Sequence, residues 1–204
     1  IMSHLACADT PDSAANARQL EHMREVSALF PGVPVSIANS GGLFLGPDFL
    51  QHLTRPGIAL YGGAPNDAGP NPMRPVISLH VAVIQTRTVP AGTQIGYGGI
   101  YTAPRDMRLA TISAGYADGL PRVLSHHGAA WRGDIRLPIV GRISMDSLMI
   151  DISALPDDLP AGTFVELIGP HQPIDAIAAD AGTISYEILT ALGRRFYREY
   201  VGLE

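Results

Sequence analysis

A tyrosine framed by glycines is the feature of this sequence whose residue type and surroundings most suggest chemistry. Tyr116 lies between Gly115 and Asp118-Gly119, and the apolar residues 109–112 before it are typical of a buried strand. Asp118-Gly119 and the following Pro121 end that strand, so Tyr116 is predicted to stand exposed where the strand gives way to a turn. Loops on a rigid scaffold often carry functional groups. The structural alternative is a tyrosine that packs over a glycine at a sheet edge.

Three other loops contain candidate residues. Asn39-Ser40-Gly41-Gly42 follows a strand-like run, so its N–H groups and the Ser40 hydroxyl could cradle a phosphate, or form an ordinary turn. Arg55 precedes another apolar run and could hold an anion, a ring nitrogen or a surface carboxylate. Residues 96–99, Gly-Tyr-Gly-Gly, lack the flanking elements of a nucleotide-binding loop and are predicted to be a mobile turn.

The composition excludes several classes of protein. The 204 residues are 46% hydrophobic with a net charge of -5, which suits a packed core and not a nucleic-acid-binding surface. No apolar run approaches the roughly 20 residues that cross a bilayer and no secretory leader opens the chain, so a soluble, cytoplasmic protein is expected. The single Cys7 cannot form an intrachain disulfide, and the histidines show no ligand spacing, so no metal site is predicted.

Every basic side chain, 14 in all, is an arginine, because the sequence contains no lysine. Proteins form Schiff bases with aldehyde cofactors through lysine amines. This polypeptide therefore cannot supply such a bond by itself.

The first 61 residues predict strands that alternate with helices. Apolar runs at 2–8, 33–38 and 57–61 have the composition of strands. Thr10-Pro11-Asp12 predicts the start of a helix, and residues 43–53 are weakly helical. The apolar face of the first helix would carry Ala17, Leu20, Met23, Val26 and Phe30. This order is typical of βα units.

The remainder of the chain has a different pattern. Residues 64–75 are rich in Pro, Gly, Asn and Asp and predict a linker. A long strand over 76–89, followed by short strands between turn signals, predicts an antiparallel sandwich or barrel. Near the end, a helix is expected over 183–192 with Gly193 as its cap, and then a strand over 194–201.

Six short motifs occur in one order across nearly the whole chain. They are His4; Ala38-Asn39-Ser40; Arg55-Pro56-Gly57-Ile58 with Tyr61-Gly62; Ser113-Ala114-Gly115-Tyr116-Ala117-Asp118-Gly119; Gly141-Arg142-Ile143-Ser144-Met145-Asp146; and Ser185-Tyr186-Glu187. Together they resemble alanine racemase. The resemblance implies an α/β plus all-β fold, with 1–66 as the C-terminal part of a (β/α)8 barrel and 67–204 as a mostly antiparallel β-domain. It also implies that the family's N-terminal portion, with the lysine that binds pyridoxal 5'-phosphate, is absent here.

The resemblance assigns cofactor-binding residues. Ser40, the backbone of Gly57 and Ile58, and Tyr186 would contact the phosphate of pyridoxal 5'-phosphate, with Asn39 nearby. Arg55 would hydrogen-bond the pyridine nitrogen, and His4 would orient Arg55. Because an arginine stays charged, it would keep that nitrogen unprotonated and weaken the electron sink, which favours return of the proton to Cα.

The resemblance also assigns the substrate side. Tyr116 would be one of two opposed bases, with the missing lysine as the other, and cations nearby would stabilise its phenolate. Met145 and Asp146 would line the substrate pocket of a partner subunit in a homodimer with shared sites. The expected function is a portion of an alanine racemase that makes D-alanine for peptidoglycan, inactive as this chain alone. A racemase of broader range and a non-catalytic β-domain for binding or assembly stay open as alternatives.

Overall fold

The computed structural model describes residues 1–202. The chain divides into two compact units, unit 1 over Ile1–Val76 and unit 2 from Ile77 onward. The linker predicted at 64–75 lies within unit 1 and contains no helix or strand. No helix of the described residues has the length and apolar character needed to span a membrane.

Unit 1 is built around one long helix, α1, over Ala14–Ala28. Ser13 caps it by accepting a hydrogen bond from the Ala15 N–H, so the predicted start at Thr10-Pro11 is three residues early. Leu20 and Met23 face the core as predicted, while Ala17, Val26 and Phe30 are exposed. The core cluster comprises Leu5, Ala8, Leu20, Met23, Val35, Ile37 and Phe49.

The three strands predicted in unit 1 are not formed. Residues 2–8 and 33–38 run side by side in parallel but share a single bridge, between Met2 and Ser36. The strand predicted over residues 57–61 is wrong, because Ile58–Tyr61 forms a 3-10 turn that ends at Gly62 in a left-handed conformation. The weak helix predicted over 43–53 is two further 3-10 turns, Gly41–Phe44 and Pro47–Phe49.

Unit 2 is a closed antiparallel barrel, which confirms the prediction for this part of the chain. Its six strands follow the order β1-β4-β7-β6-β5-β8, and β2 pairs with β3 in a separate hairpin. The strands are β1 Leu79–Val89, β2 Gln94–Ile95, β3 Tyr101–Thr102, β4 Met107–Ile112, β5 Ala129–Arg132, β6 Ile135–Val140, β7 Leu148–Asp151 and β8 Phe164–Ile168.

The barrel core explains why these segments pair. In β1 the residues at 79, 81 and 83 are buried and alternate with more exposed ones, as expected for a strand with one face on a core. Two short helices follow the barrel, α2 over Ile174–Asp180 and α3 over Ser185–Ala191. The predicted helix over 183–192 is therefore confirmed in slightly shorter form. The strand predicted over 194–201 is wrong, because none of these residues pairs with a strand in the described chain.

Candidate active site

In unit 1, a buried serine joins the starts of two turns. The Ser40 side chain is nearly inaccessible, and its Oγ accepts hydrogen bonds from the N–H groups of Gly57 at 2.8 Å and Ala59 at 3.3 Å. The 3-10 turn Gly41–Phe44 begins directly after Ser40, and the turn Ile58–Tyr61 begins directly after Gly57. The N-terminal ends of both turns are therefore held close together.

These two ends leave donors free. Within the described chain, the N–H groups of Gly41 and Ile58 have no hydrogen-bond acceptor. A side chain at Gly57 would meet nothing within 4 Å, so the backbone there faces open space. Free N–H groups at the start of helical turns attract anions, and phosphate is the common one.

The free N–H groups of Gly41 and Ile58 form a cradle, and neutral partners fix Arg55 beside it. One Nη donates to the Ser3 carbonyl at 2.7 Å and the other to Ser36 Oγ, while the backbone N–H bonds to the Ala38 carbonyl. No carboxylate pairs with Arg55 among the described residues. The guanidinium keeps its charge and its remaining donors for an external group.

His4 lies beside Asn39. Its Nε2 lies 3.3 Å from Asn39 Nδ2, and Asn39 Oδ1 accepts the Gly42 N–H at 2.9 Å. Asn39 therefore holds the first turn and His4 together. The Arg55 guanidinium is hydrogen-bonded to Ser3 and Ser36, and the role of His4 in orienting Arg55 stays a prediction.

In unit 2, Tyr116 stands on a 3-10 turn four residues beyond the end of β4, with 43% of its surface exposed. The predicted exposure at a strand end is confirmed. The Tyr116 N–H bonds to the Ser144 carbonyl at 3.0 Å, and the Ala117 N–H bonds to the Met145 carbonyl at 2.9 Å. These bonds place Tyr116 and the exposed Met145 on neighbouring loops.

Gly115 permits this close approach. A Cβ atom at Gly115 would lie 2.3 Å from the Met145 carbonyl oxygen and 2.4 Å from that of Ser144. No side chain fits there without separation of the two loops. The glycine before Tyr116 is therefore a packing requirement.

An arginine links two carboxylates beside the same turn. Arg195 Nε lies 3.2 Å from Asp118 Oδ1, and Arg195 Nη2 lies 2.6 Å from Asp146 Oδ1. The hydrogen bond with Asp146, and next the charge of Asp118, raise the pKa of Arg195 above its ordinary value. Asp146 thus binds Arg195, and its place in a substrate pocket stays a prediction.

A second tyrosine is presented in a similar way. Tyr97 lies on the turn between β2 and β3, flanked by Gly96 and Gly98 in left-handed conformations, and is 69% exposed. A Cβ at Gly96 would lie 2.9 Å from the Arg142 nitrogen, so the turn rests on the backbone there. In the described chain no carboxylate pairs with Arg142, whose guanidinium lies beside Gly98. Sequence reasoning treated residues 96–99 only as a turn.

A histidine elsewhere on unit 2 offers a pH probe. His171 Nδ1 lies 3.1 Å from Glu166, Nε2 lies 3.3 Å from Asp134, and the ring stacks on Trp131. The hydrogen bond to Glu166 is the main cause that raises the pKa of His171; burial opposes it, and the charge of Glu166 and the contact with Asp134 add to the rise. Protonated His171 therefore stabilises the fold below its unfolded pKa near ~6.5, and that stabilisation is lost as the pH rises through the folded value.

Because Trp131 is the single tryptophan, its fluorescence should follow the protonation of His171. We expect a fluorescence transition with a midpoint above ~6.5. His171→Gln should abolish it, while His22→Gln, which changes an exposed histidine on α1 of unit 1, should leave it intact. A midpoint at or below the ordinary histidine value would contradict the carboxylate pairing.

Known proteins resemble this chain in both sequence and structure. Residues 1–65 match the family model described as the N-terminal domain of alanine racemase, and residues 76–200 match the model of its C-terminal domain. The chain belongs to the alanine racemase family. A relative named "Alanine racemase, catabolic" from Agrobacterium fabrum is 63% identical over 98% of this chain and 52% of its own length.

Solved structures agree with this family assignment. Alanine racemase from Bartonella henselae, described with covalently bound pyridoxal phosphate, has a TM-score of 0.93 at 46% identity over 98% of this chain and 56% of its own. The biosynthetic alanine racemase from Pseudomonas aeruginosa has a TM-score of 0.90 at 35% identity over the same shares. The chain thus spans about half the length of the relatives that it matches.

The family residues fall into two groups within the described chain. Unit 1 brings together His4, Asn39, Ser40, Arg55, Gly57 and Ile58. Unit 2 brings together Tyr116, Met145 and Asp146, while Tyr186 is an exposed residue of α3. No group of three metal-ligating side chains occurs among the described residues. The sequence missed Tyr97 and Arg195, and the glycine pattern around Tyr97 was the one available signal.

Proposed function

We propose that this chain is part of a pyridoxal-phosphate-dependent alanine racemase, which interconverts L-alanine and D-alanine by a two-base mechanism. The observation that carries the proposal is the cradle of unit 1, where two turn starts with free N–H groups lie beside an unpaired Arg55. It lies in a chain that matches both domains of the family in order. The assignment of 1–66 to a partial (β/α)8 barrel and of 67–204 to the β-domain belongs to this proposal.

The cradle fits the cofactor's phosphate. The free N–H groups of Gly41 and Ile58 would donate to its oxygens, and the open space at Gly57 leaves room for the close approach of a ligand. Ser40 serves by holding both turns, because its Oγ already accepts two N–H groups and its own hydrogen stays available. Asn39 and Tyr186 are proposed as further cofactor-binding residues.

Arg55 fits the pyridine nitrogen. A guanidinium can donate a hydrogen bond but cannot give up its proton at neutral pH, so the ring nitrogen would accept without becoming protonated. Ser3 and Ser36 fix the direction of the donor before any ligand binds. When bound, the cofactor withdraws electrons from the substrate Cα so that its proton can be removed. A ring nitrogen kept neutral limits that withdrawal and favours simple return of the proton.

Met145 fits the substrate carboxylate. Its backbone N–H has no acceptor in the described chain, while its carbonyl is held by Ala117. The loop is thus fixed with a free donor at its exposed end. We propose that this N–H binds the carboxylate of alanine and that Asp146 supports the loop.

The second base is proposed to be a tyrosine of unit 2. A phenol has an ordinary pKa near ~10, so a neighbouring free cation is needed to hold the phenolate at neutral pH. We propose Tyr116, the residue that the sequence predicts, because backbone hydrogen bonds hold its turn against the Met145 loop, whose free N–H is proposed for the substrate carboxylate. Tyr97, beside whose turn the Arg142 guanidinium lies without a carboxylate partner in the described chain, is the second candidate.

The other base and the site of cofactor attachment must come from a lysine outside these 204 residues. We propose a homodimer in which each β-domain completes the site of its partner, in the cytoplasm, with D-alanine used for peptidoglycan. A racemase with a broader amino-acid range is the alternative within the same chemistry. A non-catalytic binding domain is the alternative for the isolated chain.

The test joins this chain behind the N-terminal segment of the Agrobacterium fabrum relative that has no counterpart here. We expect this hybrid enzyme to bind pyridoxal 5'-phosphate with visible absorbance and to interconvert L- and D-alanine, while the 204-residue chain alone does neither. Racemisation rates with serine and lysine as substrates distinguish an alanine-specific enzyme from the broad-range alternative. A folded, cofactor-loaded hybrid without activity on alanine would overturn the proposal, and a folded hybrid that fails to bind cofactor would favour the non-catalytic domain.

A further inference from the structure

Arg195 bridges two carboxylates of unit 2, and the two-base chemistry does not use this cluster. The guanidinium lies between Asp118 at 3.2 Å and Asp146 at 2.6 Å. Asp118 belongs to the turn that carries Tyr116, and Asp146 directly follows Met145 in the neighbouring loop. One side chain therefore ties together the two loops that the proposed function places at the substrate.

Among the described residues, Arg195 is the one cation paired with Asp118. Its side chain is only 8% exposed, and Oδ2 accepts the Gly115 N–H at 2.8 Å while Oδ1 faces Arg195. A buried carboxylate that loses its cation is strongly destabilised. The Asp118 carbonyl also accepts the Gly193 N–H at 3.2 Å, so the segment that carries Arg195 is anchored to the same turn.

We infer that Arg195 is a positioning residue that sets the Met145 N–H and the Tyr116 turn at the spacing required for the substrate carboxylate. The inference rests on the proposed racemase function. Arg195 acts through Asp118 and Asp146 and need not touch the substrate. Loss of the guanidinium frees Asp146, and with it the adjacent N–H, while the backbone bonds from Tyr116 to Ser144 and from Ala117 to Met145 persist.

The kinetic test uses the hybrid enzyme with rates expressed per loaded cofactor. We expect Arg195→Gln to raise the KM for alanine about tenfold with a smaller change in kcat, because the carboxylate contact weakens before the chemical step. Arg195→Lys retains one ion pair and should recover part of the effect. Arg194→Gln is the matched control, since Arg194 is adjacent and exposed, and has no ion pair among the described residues.

A double-mutant comparison separates positioning from a general loss of stability. Asp146→Asn should raise the KM as Arg195→Gln does, and the two changes together should be no worse than either alone, because they remove the same contact. Equal KM values for Arg195→Gln and Arg194→Gln, or fully additive effects of Arg195→Gln and Asp146→Asn, would overturn the inference.

A second measurement does not depend on activity. In the 204-residue chain, hydrogen exchange of a peptide covering 113–120 should be at least tenfold faster in Arg195→Gln than in Arg194→Gln, because Asp118 then loses the partner that holds its bond to the Gly115 N–H. Unchanged exchange would overturn the inference. An inactive parent hybrid with this exchange difference intact would instead overturn the proposed function alone.

Discussion

Replacement of Tyr116 by phenylalanine in the hybrid enzyme is expected to lower the rate of one half-reaction by about 10²–10⁴-fold, the contribution that a positioned general base makes. The change removes the phenolic oxygen and keeps the ring on its turn between Gly115 and Gly119. Because the lysine proposed as the other base would act on the opposite face of Cα, exchange of the Cα proton from the other enantiomer should persist. Washout of Cα deuterium from L- and D-alanine measures the two half-reactions separately.

Tyr97→Phe is the matched substitution, since Tyr97 is also an exposed tyrosine on a turn framed by glycine. We expect it to slow both half-reactions by less than about tenfold, because no hydrogen bond among the described residues joins its turn to the Met145 loop. A one-sided loss in Tyr97→Phe, with Tyr116→Phe unimpaired, would move the base to Tyr97. Equal losses of both half-reactions in both variants would remove the tyrosine base from the proposal.

The sequence predicts unit 2 better than unit 1 for a physical reason. Strands β1 to β8 close a barrel within the chain, so their hydrophobic pattern is matched by partners that are also present. In unit 1 the apolar segments at 2–8 and 33–38 have one another as neighbours but form a single bridge, at Met2 and Ser36. A composition typical of strands does not make a ladder where few neighbours are available to pair with it.

The local structure at Gly57 and at Arg195 depends on distant residues, which the sequence does not reveal. Residues 57–61 have strand-like composition, yet Ser40, 17 residues earlier, draws the Gly57 N–H into the start of a 3-10 turn. Arg195 was expected in a strand and instead pairs with carboxylates 49 and 77 residues away in sequence. Local motifs predicted the exposure of Tyr116 correctly, because a strand end and a glycine turn are determined by neighbouring residues.

Gly119→Ala is expected to destabilise unit 2 by about 3 kcal/mol. Gly119 has a φ of +102°, and a Cβ there would lie 2.1 Å from the Ala191 carbonyl oxygen at the end of α3. Left-handed backbone costs a non-glycine residue about 1–2 kcal/mol, and overpacking adds about 1–3 kcal/mol. Relief of the overlap requires α3 and the Tyr116 turn to separate, which also moves the carboxylate of Asp118.

Gly162→Ala is the control that isolates the overlap from the backbone strain. Gly162 has a similar φ of +87° but open space where a Cβ would stand. The free energy of unfolding should therefore fall by only about 1 kcal/mol. Urea titration of the 204-residue chain, followed by the fluorescence of Trp131 in unit 2, compares the two variants. Equal losses of unfolding free energy in the two variants would show that α3 shifts to accommodate the added methyl group without further loss of stability. The spacing between α3 and the Tyr116 turn would then not be fixed by Gly119. A larger loss in Gly119→Ala, accompanied by faster exchange at 113–120, would show that packing at α3 holds the same turn that Arg195 holds through its ion pairs.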